Sequence, residues 1–327
     1  PVFLGALVLY LAATLFCLTA WNFEILLVGR FLQGMSIAAA RVIGTAIARD
    51  LTSGRRMAQV VSMAMMVFMA VPVVAPSLGQ AILLVFPWRW IFVFLLIAAA
   101  GLSVWLAFRL PETLHEEYRR KLDFMDSLRA YRESLRHRAM VGYMLAGALF
   151  FGGLYGMLNT SEQLMAEHFS LGRFWTLAFA AMAACMAVTN FVNSRLVMRF
   201  GQRRLSQAAL IGFTAISGGH TLLLLSGFDN VIVFMVLLSM AMMLMGLIAA
   251  NFNALAMEPV GHVAGTASAA YGFGTGVLGA IIGMVIGQLY NDTAIPLIAG
   301  QTLTGLTAFV MVYFTERGEL FGEGTDD

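Results

Sequence analysis

The chain has 327 residues, 60% hydrophobic and 12% charged, with a formal net charge of +2. Soluble domains carry about 25% charged residues, so this composition excludes an ordinary soluble globular enzyme. It points to a polytopic helical membrane protein whose apolar segments take lipid as solvent.

Ten apolar stretches are long enough to span a bilayer: 2–20, 23–48, 58–83, 88–108, 139–158, 174–198, 205–227, 231–254, 264–289 and 293–314. The chain starts abruptly at Pro1, inside the first of them, with no cleavable signal peptide in view. That start suggests a truncation ahead of it. Cys17 and Cys185 sit within apolar stretches and read as small core residues.

The second stretch runs through Leu26–Asp50 and carries Arg30 and Arg41. An arginine near the centre of a span costs about 2.5–3.5 kcal/mol on insertion scales. At ~100° per residue the two arginines lie on one helix face, with Gln33, Gly34 and Ile37 in the same stripe. A cationic stripe cannot face lipid, so other helices must enclose it around a wet cavity. The third stretch holds Pro72, Pro76 and Gly79, which predict a kink and a close helix contact.

Between the fourth and fifth stretches lies the longest polar segment, 109–138. Pro111 stops the preceding helix. Tyr118, Leu122, Phe124, Met125, Leu128 and Tyr131 predict an amphipathic helix near 123–137. It reads either as a linker on the membrane surface or as a solvated connector. The expected domains are therefore an incomplete four-span bundle at 1–108, the linker at 109–138 and a six-span bundle with a short tail at 139–327.

The loops after the second, fourth and sixth spans, with the C-terminus, hold sixteen of the twenty Lys and Arg residues. The opposite loops hold only Arg89 and Arg173. This bias makes the first side cytoplasmic and puts both termini there. Trp21, Trp88, Trp90 and Trp175 then fall at the outer boundary as an aromatic belt.

The four-plus-six split hides a repeat. The first four spans begin near 2, 23, 58 and 88, and the last four near 205, 231, 264 and 293. Ala58 and Ser62 pair with Ala264 and Ser268, and Gly79-Gln80 with Gly287-Gln288. The second bundle is the first plus two helices in front, a recurring design of secondary transporters.

Local motifs now resemble the major facilitator superfamily, and within it the Bcr/CflA-type drug-resistance exporters. Leu26, Arg30, Phe31, Leu32, Gln33 and Gly34 are similar to the arginine motif of the family's fourth helix. Ala48-Arg49-Asp50 continues as the exporters do. The segment Val71 to Gln80 is similar to the antiporter motif of the fifth helix, with Ala75 and Gln80 where glycines are usual. Trp88 to Phe92 and Leu110 to Leu114 resemble the borders of the sixth. Asn251-Phe252-Asn253 and Ala264 to Ser268 resemble parts of the tenth and eleventh. Arg199, Gly201, Arg203 and Arg204 echo the family's cytoplasmic glycine–arginine loop, with Met198 in place of its aspartate.

The resemblance implies an all-α two-bundle transporter in which helices one, four, seven and ten of the full set line the cavity. The outer spans of this chain agree: 2–20, 88–108, 205–227 and 293–314 carry no Asp, Glu, Lys or Arg in their interiors. Arg30 would lower the pKa of a neighbouring carboxylate or bind an anionic group, and Arg41 would share the site. The alternative is a pair of structural arginines bonded to helix ends. A proton relay needs an embedded acid. None is present, so the resemblance places it on a front helix outside this chain. Asp50 reads as a gate element or a surface carboxylate. Pro72, Pro76 and Gly79 on one side, and Gly276, Gly279 and Gly283 on the other, would seal the two halves or serve ordinary packing. Gln33, Asn159, Asn190, Asn251, Asn253 and Tyr271 are cavity-wall candidates that neighbouring helices could equally satisfy. Met240, Met242, Met243 and Met245 would suit varied apolar ligands or simply fill the core.

No phosphate-binding loop is present, and the five histidines show no metal spacing. The expectation is a monomeric, multi-pass inner-membrane exporter, not an enzyme, which takes small amphipathic compounds and no nucleic acid. It needs no cofactor; the proton gradient is the driving force. Transport of one defined metabolite, or a non-transporting sensor or fragment, are the alternatives.

Overall fold

The computed structural model describes residues 2–51, 71, 75, 78–109, 129 and 131–322. Nine long helices lie among them. They are α1 (Val2–Leu18), α2 (Phe23–Leu51), α3 (Arg89–Arg109), α4 (Arg138–Glu162), α5 (Trp175–Phe200), α6 (Gln202–Leu225), α7 (Val231–Met257), α8 (Ala264–Gln288) and α9 (Ile295–Thr315). Each falls on one of the expected spans. The tenth, 58–83, lies mostly outside the described residues, of which 71, 75 and 78–83 are helical. The expected 123–137 helix is described only from 129 onward, with 129 and 131–134 helical.

Seven of the described helices are long and apolar enough to cross a membrane. α1 has only 17 residues. α2 runs for 29 residues and carries Arg30, Gln33 and Arg41 along an otherwise largely apolar sequence.

One boundary differs instructively. The apolar stretch ends near 158, yet the helix continues through Glu162 and then a π-helical turn, Gln163–His168. Polar residues there bond back to their own helix: Thr160 Oγ1 donates to Gly156 O at 3.0 Å and Ser161 Oγ to Leu158 O at 3.2 Å. Hydropathy falls while the helical ladder persists.

The chain divides into two compact units, Pro1–Lys121 and Leu122–Asp327. In the first, α1 packs against α2 and α3. Arg89 donates to Ala20 O at 3.1 Å, which ties the start of α3 to the end of α1. In the second, α4 is the central helix and packs on α7, α8 and α9, while α6 joins α7 to α9 and α5 leans on α7. Its core holds the fully buried side chains of Tyr143, Phe213, Phe234, Phe252 and Met245. α7 starts at Asn230, whose side chain accepts from the backbone N–H groups of Ile232 and Val233 and so caps two otherwise orphan donors.

Candidate functional site

In the first unit the polar stripe of α2 is partly spent on α1. Arg30 donates from Nη1 to Gln33 Oε1 at 2.9 Å. Gln33 Nε2 donates to Thr14 Oγ1 at 2.7 Å, and Thr14 donates to Tyr10 O at 2.7 Å. Gln33 and Thr14 are both buried, so each needs the other to satisfy its polar atoms. Arg30 itself is exposed within its unit, with its guanidinium carbon 6.0 Å from the Phe92 ring centroid. Among the described residues no carboxylate forms an ion pair with Arg30. Thr14 escaped the sequence reading because a lone threonine in an apolar span usually bonds to its own helix. Its signal was its place on an otherwise apolar outer helix.

The side chains of Arg41, Asp50 and Asn190, and the residues Pro72 and Pro76, lie outside the described residues. Around Gly34 and Gly79 an added Cβ would meet nothing within 4 Å among the described atoms.

In the second unit the asparagines separate. Asn251 on α7 is buried and donates from Nδ2 to Asn193 Oδ1 on α5 at 2.9 Å and to Leu247 O at 2.7 Å. It joins two helices. Asn253 is exposed. Tyr271 on α8 is 6% exposed, and its hydroxyl has no hydrogen-bond partner. Asn193 was not anticipated, because only the three-dimensional pairing distinguishes it from Asn190.

Asn159 lies on α4 and crosses to α8, donating from Nδ2 to Gly283 O at 3.1 Å. Beside it is a cavity of about 310 Å³ lined by Tyr155, Leu158, Asn159, Gly276 and Ala280. The glycines of α8 have two jobs here. At Gly283 an added Cβ would strike Tyr155 Cβ and come within 2.9 Å of Gly156 N, so only glycine lets α4 approach this closely. At Gly279 it would sit 3.0 Å from Phe151 Cβ and 3.3 Å from Tyr155 Cε2. Gly276 does not belong to that seam: a Cβ there would meet nothing within 4 Å, because the residue borders the cavity. Tyr155, which lines the cavity, is stacked on Phe151 with centroids 6.1 Å apart. Tyr155 precedes Asn159 by one helical turn on the same face, and that spacing was its signal in the sequence.

A charged cluster closes one end of the second unit. Arg203, in the loop echo noted above, reaches Glu258 Oε2 from Nη2 at 2.9 Å and Glu316 Oε1 from Nε at 3.2 Å. Tyr143 donates its hydroxyl to the same Glu316 oxygen at 2.5 Å. Arg199, Arg204 and Glu258 border an adjoining cavity of about 340 Å³. The echo therefore keeps its arginine fixed although Met198 replaces the acid: Glu258 and Glu316 supply the carboxylates. At the other end His168 Nε2 meets Asp229 Oδ2 at 2.6 Å. Among the described residues no three metal-ligating side chains converge.

The sequence profile of the Major Facilitator Superfamily matches residues 1–284. An uncharacterized MFS-type transporter of Bacillus subtilis, YdgK, is 28% identical over 302 residues, covering 91% of this chain and 74% of that protein. A bicyclomycin resistance protein homolog of Haemophilus influenzae is 26% identical over 309 residues, 90% of this chain and 74% of its own. The multidrug resistance protein MdtL of Escherichia fergusonii is 32% identical over 193 residues, 58% of this chain and 48% of that one. Among solved structures, the fold is similar to the human organic anion transporter MFSD10 (TETRAN), with a TM-score of 0.65 at 21% identity over 95% of this chain and 76% of that one. It is also similar to the xylose transporter XylE from E. coli, with a TM-score of 0.69 at 13% identity over 95% and 79%. An all-helical two-unit fold, an arginine-bearing apolar helix and this match across most of the chain lead to one conclusion: the chain belongs to the Major Facilitator Superfamily, a family of secondary transporters and not of enzymes.

Proposed function

We propose that this transporter exports small amphipathic compounds in exchange for inward-moving protons, by alternating access of a central cavity. The observation that carries the reading is the alignment with a bicyclomycin resistance homolog over 309 residues, 90% of the chain. The α4–α8 cavity supports it, since an aromatic ring, an amide and an aliphatic side chain together suit an amphipathic ligand. Two compact units, each with its own packing, suit a rocking mechanism. The basic loops make the side that holds both termini cytoplasmic, in the inner membrane, and the protein works as a monomer.

Arg30 carries the coupling role in this reading. Its bond to Gln33 uses one of five N–H donors, which leaves capacity for a carboxylate or an anionic group during the cycle. A second reading is favoured by the same bond: Arg30 orders the Gln33–Thr14 contact and has a structural role only. Efflux from proteoliposomes under an imposed pH gradient, with a panel of cationic and neutral drugs, tests the function. Export should follow the gradient. Accumulation indifferent to the gradient contradicts it, and unchanged proton-driven efflux by Arg30→Gln removes Arg30 from the coupling.

A further inference from the structure

We infer that the α4–α8 cavity selects uncharged planar aromatic compounds that carry a hydrogen-bond donor, with Asn159 reading the donor and Gly276 setting the space. The inference rests on the transport reading for its biological role but makes its own claim about binding.

The partner of Asn159 settles what the amide presents. Gly283 O can only accept, so Nδ2 must face it at 3.1 Å. The Oδ1 atom remains as an acceptor beside the cavity, and an N–H or O–H of a ligand is its natural complement. The other lining side chains are the aromatic ring of Tyr155, the aliphatic Leu158 and the methyl of Ala280, with no side chain at Gly276. None is charged at neutral pH. A cation entering here would gain no carboxylate in exchange for the water it gives up against Tyr155, Leu158 and Ala280, which is unfavourable. The nearest acid along α4, Glu162, lies about one turn beyond Asn159 and is not part of the lining.

Shape adds a second constraint. The Tyr155 ring lines the cavity and packs on Phe151, with centroids 6.1 Å apart, and beside Gly279, so it offers an aromatic surface against which a planar ligand can stack. Gly276 borders the same space and contacts nothing that an added side chain would displace. A side chain added there starts in open space beside the cavity and not in the α4–α8 seam, so Gly276→Leu is the substitution chosen to occupy the cavity.

Acridone, N-methylacridone and 10-methylacridinium separate these elements. All three are planar and fluorescent. The first is neutral with an N–H, the second neutral without one, and the third a permanent cation. Binding to the full chain in lipid nanodiscs, with no gradient imposed, is read by fluorescence titration. Acridone should bind roughly tenfold tighter than N-methylacridone, the size of one well-placed hydrogen bond. The acridinium should bind more weakly than either. Asn159→Leu should bring acridone down to the level of N-methylacridone, and Asn159→Asp should invert the preference toward the cation. Gly276→Leu should abolish binding at an unchanged melting temperature, while Glu162→Gln changes nothing. The inference is overturned if acridone fails to bind, if the acridinium binds as tightly, or if Gly276→Leu retains acridone affinity. Binding with this selectivity but without gradient-driven efflux would sink the transport reading and leave the site standing.

Discussion

Asn159 and Gly283 face each other across the α4–α8 seam, with the asparagine amide donating to the glycine carbonyl at 3.1 Å. The helices touch on both sides of this bond: an added Cβ at Gly279 would meet Phe151, at Gly283 Tyr155 and at Gly287 Asn159, all on α4. Gly276 stands off that seam and borders the cavity instead. From Gly276 to Gly287 the run of glycines thus packs against α4 at most positions and leaves room at one.

Alanine substitutions should tell those positions apart. Gly283→Ala drives a Cβ into Tyr155 and the Gly156 backbone, both on α4, and should cost about 1–3 kcal/mol, as overpacking does. Gly276→Ala meets open space and should leave stability within about 0.5 kcal/mol or raise it slightly through helix propensity. Thermal unfolding in nanodiscs checks both, and equal losses would show that the cavity beside Gly276 is closed.

Gln33 and Thr14 should be energetically coupled. Each is buried and their 2.7 Å bond joins α1 to α2. Gln33→Leu and Thr14→Val should each destabilise the protein, and the double variant should lose less than the sum, by about 1 kcal/mol. A double-mutant cycle on thermal stability measures it; strict additivity would mean the bond does not form in the membrane.

The two carboxylates on Arg203 should differ in weight. Glu316 has a side chain 13% exposed and also accepts from Tyr143, whereas the Glu258 side chain is 55% exposed. Glu316→Gln should cost about 1–3 kcal/mol because a buried charged network loses its centre. Glu258→Gln should cost less than about 1 kcal/mol and its effect should fade with salt. Melting curves at low and high ionic strength discriminate, and equal salt-insensitive losses would contradict the assignment.

Tyr271→Phe tests whether a buried hydroxyl is functional. The oxygen has no hydrogen-bond partner, so removing it relieves a desolvation cost of about 1–3 kcal/mol and should hold or raise the melting temperature. The residue is not part of the α4–α8 cavity lining, so acridone affinity should be unchanged. A loss of affinity at full stability would place the hydroxyl on the ligand.

Much of the fold was legible because hydropathy is a local property. All nine described long helices fall on apolar stretches, and the arginine motif pointed to the family before any coordinate did. The pairings were not legible, because they join residues far apart in sequence. Asn159 and Gly283 are 124 positions apart, Asn193 and Asn251 are 58, and Arg203 and Glu316 are 113. Sequence spacing could identify each asparagine as polar in an apolar helix but not say which neighbour satisfies it. The glycine stripe of α8 was visible as a contact surface, yet only the helix crossing divides Gly283 from Gly276. The continuation of α4 past 158 was hidden because Thr160 and Ser161 lower hydropathy without breaking the helix.

The central claim is that a gradient-driven exporter uses the α4–α8 cavity as part of its binding site. Its most direct test is acridone efflux from proteoliposomes under an imposed pH gradient, comparing the unaltered protein with Gly276→Leu at matched folded amounts. The account predicts gradient-dependent export by the first and none by the second. Equal export by both proteins would contradict it.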